Sequence, residues 1–181
     1  MQFFVKSCFR ILFFAFLTFN LPFLAEPAFA QPVTKTDQLP NPLAAEVIGI
    51  QDGDTIELKF IFSGKKAGQR LGKPLRIRFT HINCPERGQP YYKVAKQYTS
   101  QKCFHKTVKI RHKGEFDRYG RLLGEVILPD GEVLNKSLVK NGYAVHYKKY
   151  SSDQEYANLE ILAKKRKIGI WSQQPLNLGG L

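Results

Sequence analysis

Two β-prone runs, Val47-Ile48-Gly49-Ile50 and Thr55-Ile56-Glu57-Leu58-Lys59-Phe60, flank Asp52-Gly53-Asp54. An Asp-Gly pair between such runs is a strong hairpin signal. The chain is thereby committed to antiparallel sheet early in its length. Leu75-Arg76-Ile77-Arg78-Phe79 alternates, so a third strand sets Ile77 and Phe79 on one face and both arginines on the other. It ends before Pro85, whose ring pushes Cys84 into an extended conformation. The Gly- and Lys-rich stretch from Ser63 to Lys73 is then a hairpin loop. Thr107 to Arg111 and Leu122 to Leu128 read as strands four and five, and Pro129-Asp130-Gly131 turns the chain.

Helical spacing occurs three times. Tyr92 to Phe104 follows Pro90, which marks an N-terminal boundary. Asn135 to Asn141 is a short helix with Gly142 at its C′ position. Ser152-Asp153-Gln154-Glu155 fits a capping box, opening a helix to Lys167 whose last turn, Lys164 to Lys167, complements the helix dipole. Five strands interleaved with three helices, without an internal repeat, make one small α+β domain. A five-stranded barrel with helices packed on it is the expected architecture.

The ends of the chain read differently. Residues 1–30 carry Lys6 and Arg10, an apolar run from Ile11 to Leu24, and Ala28-Phe29-Ala30 before Gln31, the pattern of a secretory signal peptide. A membrane span needs about 20 apolar residues, and Asn20 and Pro22 interrupt this run. Residues 31–44, with Pro32, Pro40 and Pro42, are expected to be a flexible lead-in. The domain then spans 45–172, and 173–181 form a C-terminal tail. The expectation is a secreted or periplasmic, monomeric protein with no stable membrane association after cleavage. Cys8 leaves with the signal, so Cys84 and Cys103 would reach a compartment where a disulfide persists. One bridge and two separate thiols both remain open, as does zinc held by His81, Cys84, Cys103 and His105.

With 28 Lys and Arg against 15 Asp and Glu, the net charge is +13, which selects a polyanionic partner: nucleic acid, anionic lipid or acidic polysaccharide. The hydrophobic share of 43% excludes a disordered chain. Three clusters could carry chemistry: Asp52-Gly53-Asp54-Thr55, Asn83-Cys84-Pro85-Glu86-Arg87, and Asp117-Arg118-Tyr119-Gly120-Arg121. Each alone is an ordinary turn.

Taken in order, together with Arg78 ahead of the second cluster, Asn135 to Gly142, and Ile170-Trp171, they resemble the staphylococcal nuclease (thermonuclease-like) family over nearly all of residues 45–172. The resemblance implies an OB-fold barrel and a calcium-dependent nuclease that cleaves DNA and RNA regardless of sugar. Carried over by motif, Asp54 is a direct Ca2+ ligand and the backbone carbonyl of Cys84 another, with Asp52 shaping the site from behind. Glu86 positions or deprotonates the attacking water, and Arg78 and Arg121 hold the scissile phosphate. Hard oxygen donors suit calcium, and fixed guanidiniums stabilise charge accumulating on phosphate. Asn83 departs from the family, which usually has aspartate there, so a charged metal ligand becomes a neutral amide. Arg118 and Tyr119 resemble contacts to a terminal phosphate. Tyr147 and Tyr150 are expected stacking surfaces, which favours single-stranded substrate; alternatively Tyr143 packs in the core and Tyr147 only covers the start of the last helix. Two rivals stand beside the nuclease: a nucleic-acid-binding module with weak or lost catalysis, kept alive by Asn83, and a binder of acidic polysaccharide.

Overall fold

The computed structural model describes residues 34–172; the expected signal peptide at 1–30 and the expected tail at 173–181 lie outside the described residues. The strands are β1 (Thr34–Thr36), β2 (Leu43–Ile50), β3 (Thr55–Phe62), β4 (Pro74–Phe79), β5 (Ile82–Asn83), β6 (Thr107–Phe116), β7 (Leu122–Ile127) and β8 (Val145–His146). The helices are α1 (Tyr92–Cys103), α2 (Leu134–Lys140) and α3 (Gln154–Lys165). No helix among the described residues is long and apolar enough to cross a membrane.

Strands β3, β2, β6, β7 and β4 neighbour one another in that order, and β4 returns to β3, so the sheet closes into the five-stranded barrel. Closure leaves the barrel without a free edge. The pairing of β4 with β7 is parallel, Ile77 opposite Leu122, whereas the other barrel pairings are antiparallel. Strand β4 obeys the period of two: Leu75, Ile77 and Phe79 are buried while Arg76 and Arg78 are not. With Ile56, Leu58, Ile110, Leu122 and Val126 they fill the interior. Helix α2 closes one side with Leu134, Leu138 and Val139, and Tyr156 of α3 is fully buried.

Buried Asn135 pins α2 to the barrel. Its carbonyl accepts from Val126 N at 3.0 Å, and its amide donates to the carbonyls of Thr80 and Gly124 at 3.0 and 3.3 Å. Gly142 ends α2 with φ 68°, and a Cβ there would sit 2.4 Å from the Ile168 carbonyl oxygen, so glycine alone fits.

Several boundaries differ from the expectation, each for a physical reason. Residues 34–36 pair with β3 and Leu43 is buried, so the sheet takes in part of the lead-in. The bonds responsible are long-range, such as Asn41 Nδ2 to the His112 carbonyl at 2.8 Å, and leave no local pattern. Strand β6 continues past Arg111 to Phe116, through a register shift after His112. Asp153, rather than Ser152, caps α3, accepting from the Glu155 and Tyr156 N–H groups; a carboxylate one residue later displaces the hydroxyl, and the helix stops at Lys165. Cys84 and Cys103 are both buried free thiols, the second donating to the Thr99 carbonyl. The four zinc candidates do not converge. His81 bonds Ser151 and His105 meets Glu46, and no group of three or more His, Cys, Asp or Glu among the described residues could hold a metal.

Candidate active site

The closed barrel brings the three clusters to one end. Thr55 at the start of β3 pairs with Arg78 near the end of β4, and Ile77 pairs with Leu122, the residue after Arg121. Thus Asp54, Arg78 and Arg121 share a rim although 67 positions of sequence separate the first from the last.

Asp54 is only 6% exposed. Its Oδ2 accepts from Cys84 N at 2.7 Å and lies 3.3 Å from Arg78 Nη1. Asp52 holds the turn in place by accepting from Asp54 N at 3.1 Å. Burial pushes the Asp54 carboxyl up to about 7, Arg78 opposes this, and the neighbouring charge of Asp52 adds to it. Its ionised form is therefore short of positive charge at neutral pH, even with an arginine in contact.

Arg78 is braced on three sides: Nη1 donates to the carbonyls of Phe79 at 2.7 Å and Ile82 at 3.1 Å, and Nη2 donates to Asn83 Oδ1 at 2.6 Å. Arg121 is held by its own turn, Nε donating to Asp117 Oδ2 at 2.6 Å, while Nη1 reaches Thr55 Oγ1 at 3.3 Å. The same Asp117 accepts from the Tyr119 and Arg121 N–H groups, so one carboxylate shapes the whole turn. Glu86 is exposed just past β5, in a turn where its N–H donates to Gln89 Oε1 at 2.6 Å.

Aromatic side chains flank the two arginines. The Tyr119 ring is 53% exposed, with the Arg118 and Arg121 guanidiniums 4.7 and 5.4 Å from its centre. Pairing of Asn83 with Val145, and donation from Tyr147 N to the His81 carbonyl at 2.8 Å, carry Tyr147 to the start of β5. Its ring meets that of Tyr150 edge-on at 4.9 Å, and Tyr150 is 70% exposed. Tyr143 packs instead against Tyr98 and the core.

Residues 76–173 match the family model described as staphylococcal nuclease homologue. A protein described as an uncharacterized endonuclease of Escherichia coli O157:H7 is 33% identical over 144 residues, covering 80% of this chain and 84% of the relative. The chain belongs to the staphylococcal nuclease family. A micrococcal nuclease of Shigella flexneri is 31% identical over 137 residues, covering 70% and 72% of the two chains. An uncharacterized endonuclease of Haemophilus influenzae is 32% identical over 126 residues, covering 70% and 65%. Membership makes this protein a nuclease-type hydrolase, of a family whose nucleases are generally metal-dependent.

No three His, Cys, Asp or Glu side chains among the described residues form a metal cluster, so a hard cation here would have to draw on backbone oxygen as well. Its donors would be the Asp54 carboxylate and the Cys84 carbonyl, with Asp52 behind them, an all-oxygen set that suits calcium. A buried carboxylate with a raised pKa and a second carboxylate beside it is the electrostatic counterpart of that chemistry. Asn83 behaves differently from a simple ligand, because its carbonyl oxygen is already the acceptor for Arg78. Two site residues were not singled out from sequence, Thr55 and Asp117. Each was visible as a member of its motif, and Asp117 stands four residues before the arginine it orients, but only the folded turn shows those bonds.

Proposed function

We propose that this nuclease-family hydrolase is an exported, monomeric, calcium-dependent enzyme that cleaves the phosphodiester bonds of DNA and RNA by attack of water. The observation that carries the reading is the buried, charge-deficient Asp54 carboxylate beside two braced guanidiniums. Asp54 and the Cys84 carbonyl would hold calcium, which when bound would supply Lewis-acid polarisation of a phosphoryl oxygen. The remaining roles belong to the chain. Arg78 and Arg121 cost little reorganisation to use, since backbone carbonyls, Asn83 and Asp117 already fix their planes; such fixed donors lower the barrier by matching charge that develops on phosphate. Glu86, exposed at the lip, orients and deprotonates water. Arg118 with Tyr119 takes a terminal phosphate, and Tyr147 and Tyr150 stack bases, which favours single-stranded or frayed substrate.

A second reading has one observation behind it. Asn83 is a neutral amide and its Oδ1 already accepts from Arg78, so it brings no negative charge to a metal, as in a nucleic-acid-binding module with weak catalysis. The processed chain, residues 31–181, distinguishes the two when incubated with single-stranded DNA and with RNA in calcium, in magnesium and in chelator. Cleavage of both polymers in calcium and none in chelator is the expected result. Binding without cleavage in any metal would establish the module instead.

A further inference from the structure

We propose that a second, cationic groove beside the site holds the phosphodiester backbone of the substrate strand after it leaves the cleavage centre; the proposal rests on the nuclease reading and extends it. The groove has a volume of about 500 Å3 and lies between the β3–β4 loop, the bend of β6 and residues 37–41. Its rim carries Lys65, Lys66 and Lys113 against a single carboxylate, Asp37. None of the three lysines is in an ion pair among the described residues, whereas Arg70 and Arg76 both pair with Glu57. The groove rim thus carries three unpaired cations against one carboxylate.

Its walls are built rather than fluid. His112 Nε2 meets the Pro40 carbonyl at 2.9 Å, and His112 Nδ1 accepts from Gly114 N at 3.0 Å, so the ring is used on both sides and locks residues 37–41 against β6. Asn41 bonds the same residue's carbonyl. Ser63 N donates to the Thr36 carbonyl at 2.9 Å, securing the other wall. The floor is Phe62, stacked on Phe116 with ring centres 5.4 Å apart.

The groove adjoins the turn that carries Arg121. Phe116 pairs with Leu122, so the floor lies beside the residues that bracket the turn from Asp117 to Arg121. The loop wall touches the same turn: a Cβ on Gly120 would lie 2.3 Å from the Ala67 carbonyl oxygen and 3.0 Å from Arg70 Cγ. Lys65 and Lys66 ride on that 3-10 segment, Lys65–Arg70. A strand whose phosphate sits at Arg121 thus has a row of unpaired cations and an apolar floor in its path. Unpaired cations along a groove suit the phosphate backbone of a single nucleic-acid strand.

The test compares the full chain with the triple variant K65Q/K66Q/K113Q and with a charge-matched control, K109Q/K165Q/K167Q, whose lysines are exposed elsewhere. Binding of a trinucleotide and of a single-stranded oligothymidylate of about 16 nucleotides, the upper end of one barrel's site size, is measured in chelator over a salt series. Cleavage of both is then measured in calcium. The groove variant should bind the long strand roughly tenfold more weakly than the control variant does. Its slope of log K against log salt should fall by about 2, since each of three phosphate contacts contributes about 0.7 on a single strand. Its kcat/KM on the trinucleotide should be unchanged. Equal weakening by the two triple variants would reduce the effect to net charge and overturn the proposal. So would retained long-strand binding with loss of heparin binding, which would make the occupant a polysaccharide. A matching fall in trinucleotide cleavage would also overturn it, by placing the lysines in the cleavage centre. If the unmodified chain cleaves neither length, the nuclease reading fails, and the length and salt dependence in chelator still decide the groove.

Discussion

Asp54 and Glu160 are both buried carboxylates, and the protein treats them in opposite ways. Burial alone raises either one. At Glu160, hydrogen bonds from Lys164 and Lys148 outweigh burial and hold the carboxyl below its usual range, and His146 N donates to its other oxygen. At Asp54 the single arginine in contact does not outweigh burial and the charge of Asp52, and the carboxyl stands at about 7. Glu160 joins α3 to β8 and serves the fold. Asp54 also ties the turn before β3 to Cys84 and Arg78, yet these contacts leave its charge under-compensated, which is what a site that recruits a cation requires and a purely structural site avoids.

The largest effect that would test this contrast is on rate. Arg78→Ala and Arg121→Ala should each lower turnover by roughly 10² or more, the scale of a lost preorganised donor, with the melting temperature little changed. Arg76→Ala, on the same strand face but paired with Glu57, should leave turnover near that of the unmodified enzyme. An equal loss at Arg76 would mean that the rim arginines have no special role.

Stability should separate the two carboxylates by sign. Glu160→Gln should cost about 2 kcal/mol at neutral pH, because it removes charge-assisted hydrogen bonds at a buried position. That contribution is lost as pH falls below the ordinary glutamate value of 4.5, since the folded carboxyl titrates lower still. Asp54→Asn should do the reverse in chelator at pH 8, stabilising the fold by on the order of 1 kcal/mol while abolishing calcium-dependent cleavage. The sign follows from the raised value. Between about 4 and 7 the unfolded chain ionises Asp54 before the folded chain does, so metal-free stability declines across that window as pH rises. Denaturant melts of both variants at pH 5 and pH 8 check these slopes, and parallel pH profiles would erase the distinction.

Most of this contrast lies beyond what sequence could show. The β runs, the three helices and the three clusters are legible because alternation, caps and turn residues are local. The parallel β4–β7 closure that seats Arg121 beside Arg78, and the ordering of residues 34–43, depend on partners far along the chain. Glu160 reads as one more polar helix residue until α3 is docked. The Asn83 to Arg78 bond is the clearest case: an amide read as a weakened metal ligand spends its oxygen on the arginine, a choice that only three-dimensional placement decides.

The smallest expected effect follows from that bond. Asn83→Asp should lower the calcium midpoint for activity severalfold, but by less than the tenfold that corresponds to about 1.4 kcal/mol, because Arg78 shares the added charge. An unchanged midpoint would detach residue 83 from the metal and leave Asp52 as the second carboxylate.

The central claim, that Asp54 is held charge-deficient for a cation, is tested most directly by following the side-chain carboxyl resonances through a pH titration with and without calcium. Without metal, Asp54 should titrate at about 7 while Glu160 titrates below 4.5, and saturating calcium should move Asp54 down by a full pH unit or more while leaving Glu160 in place. An Asp54 carboxyl that titrates near 3.8 in both conditions would contradict the account.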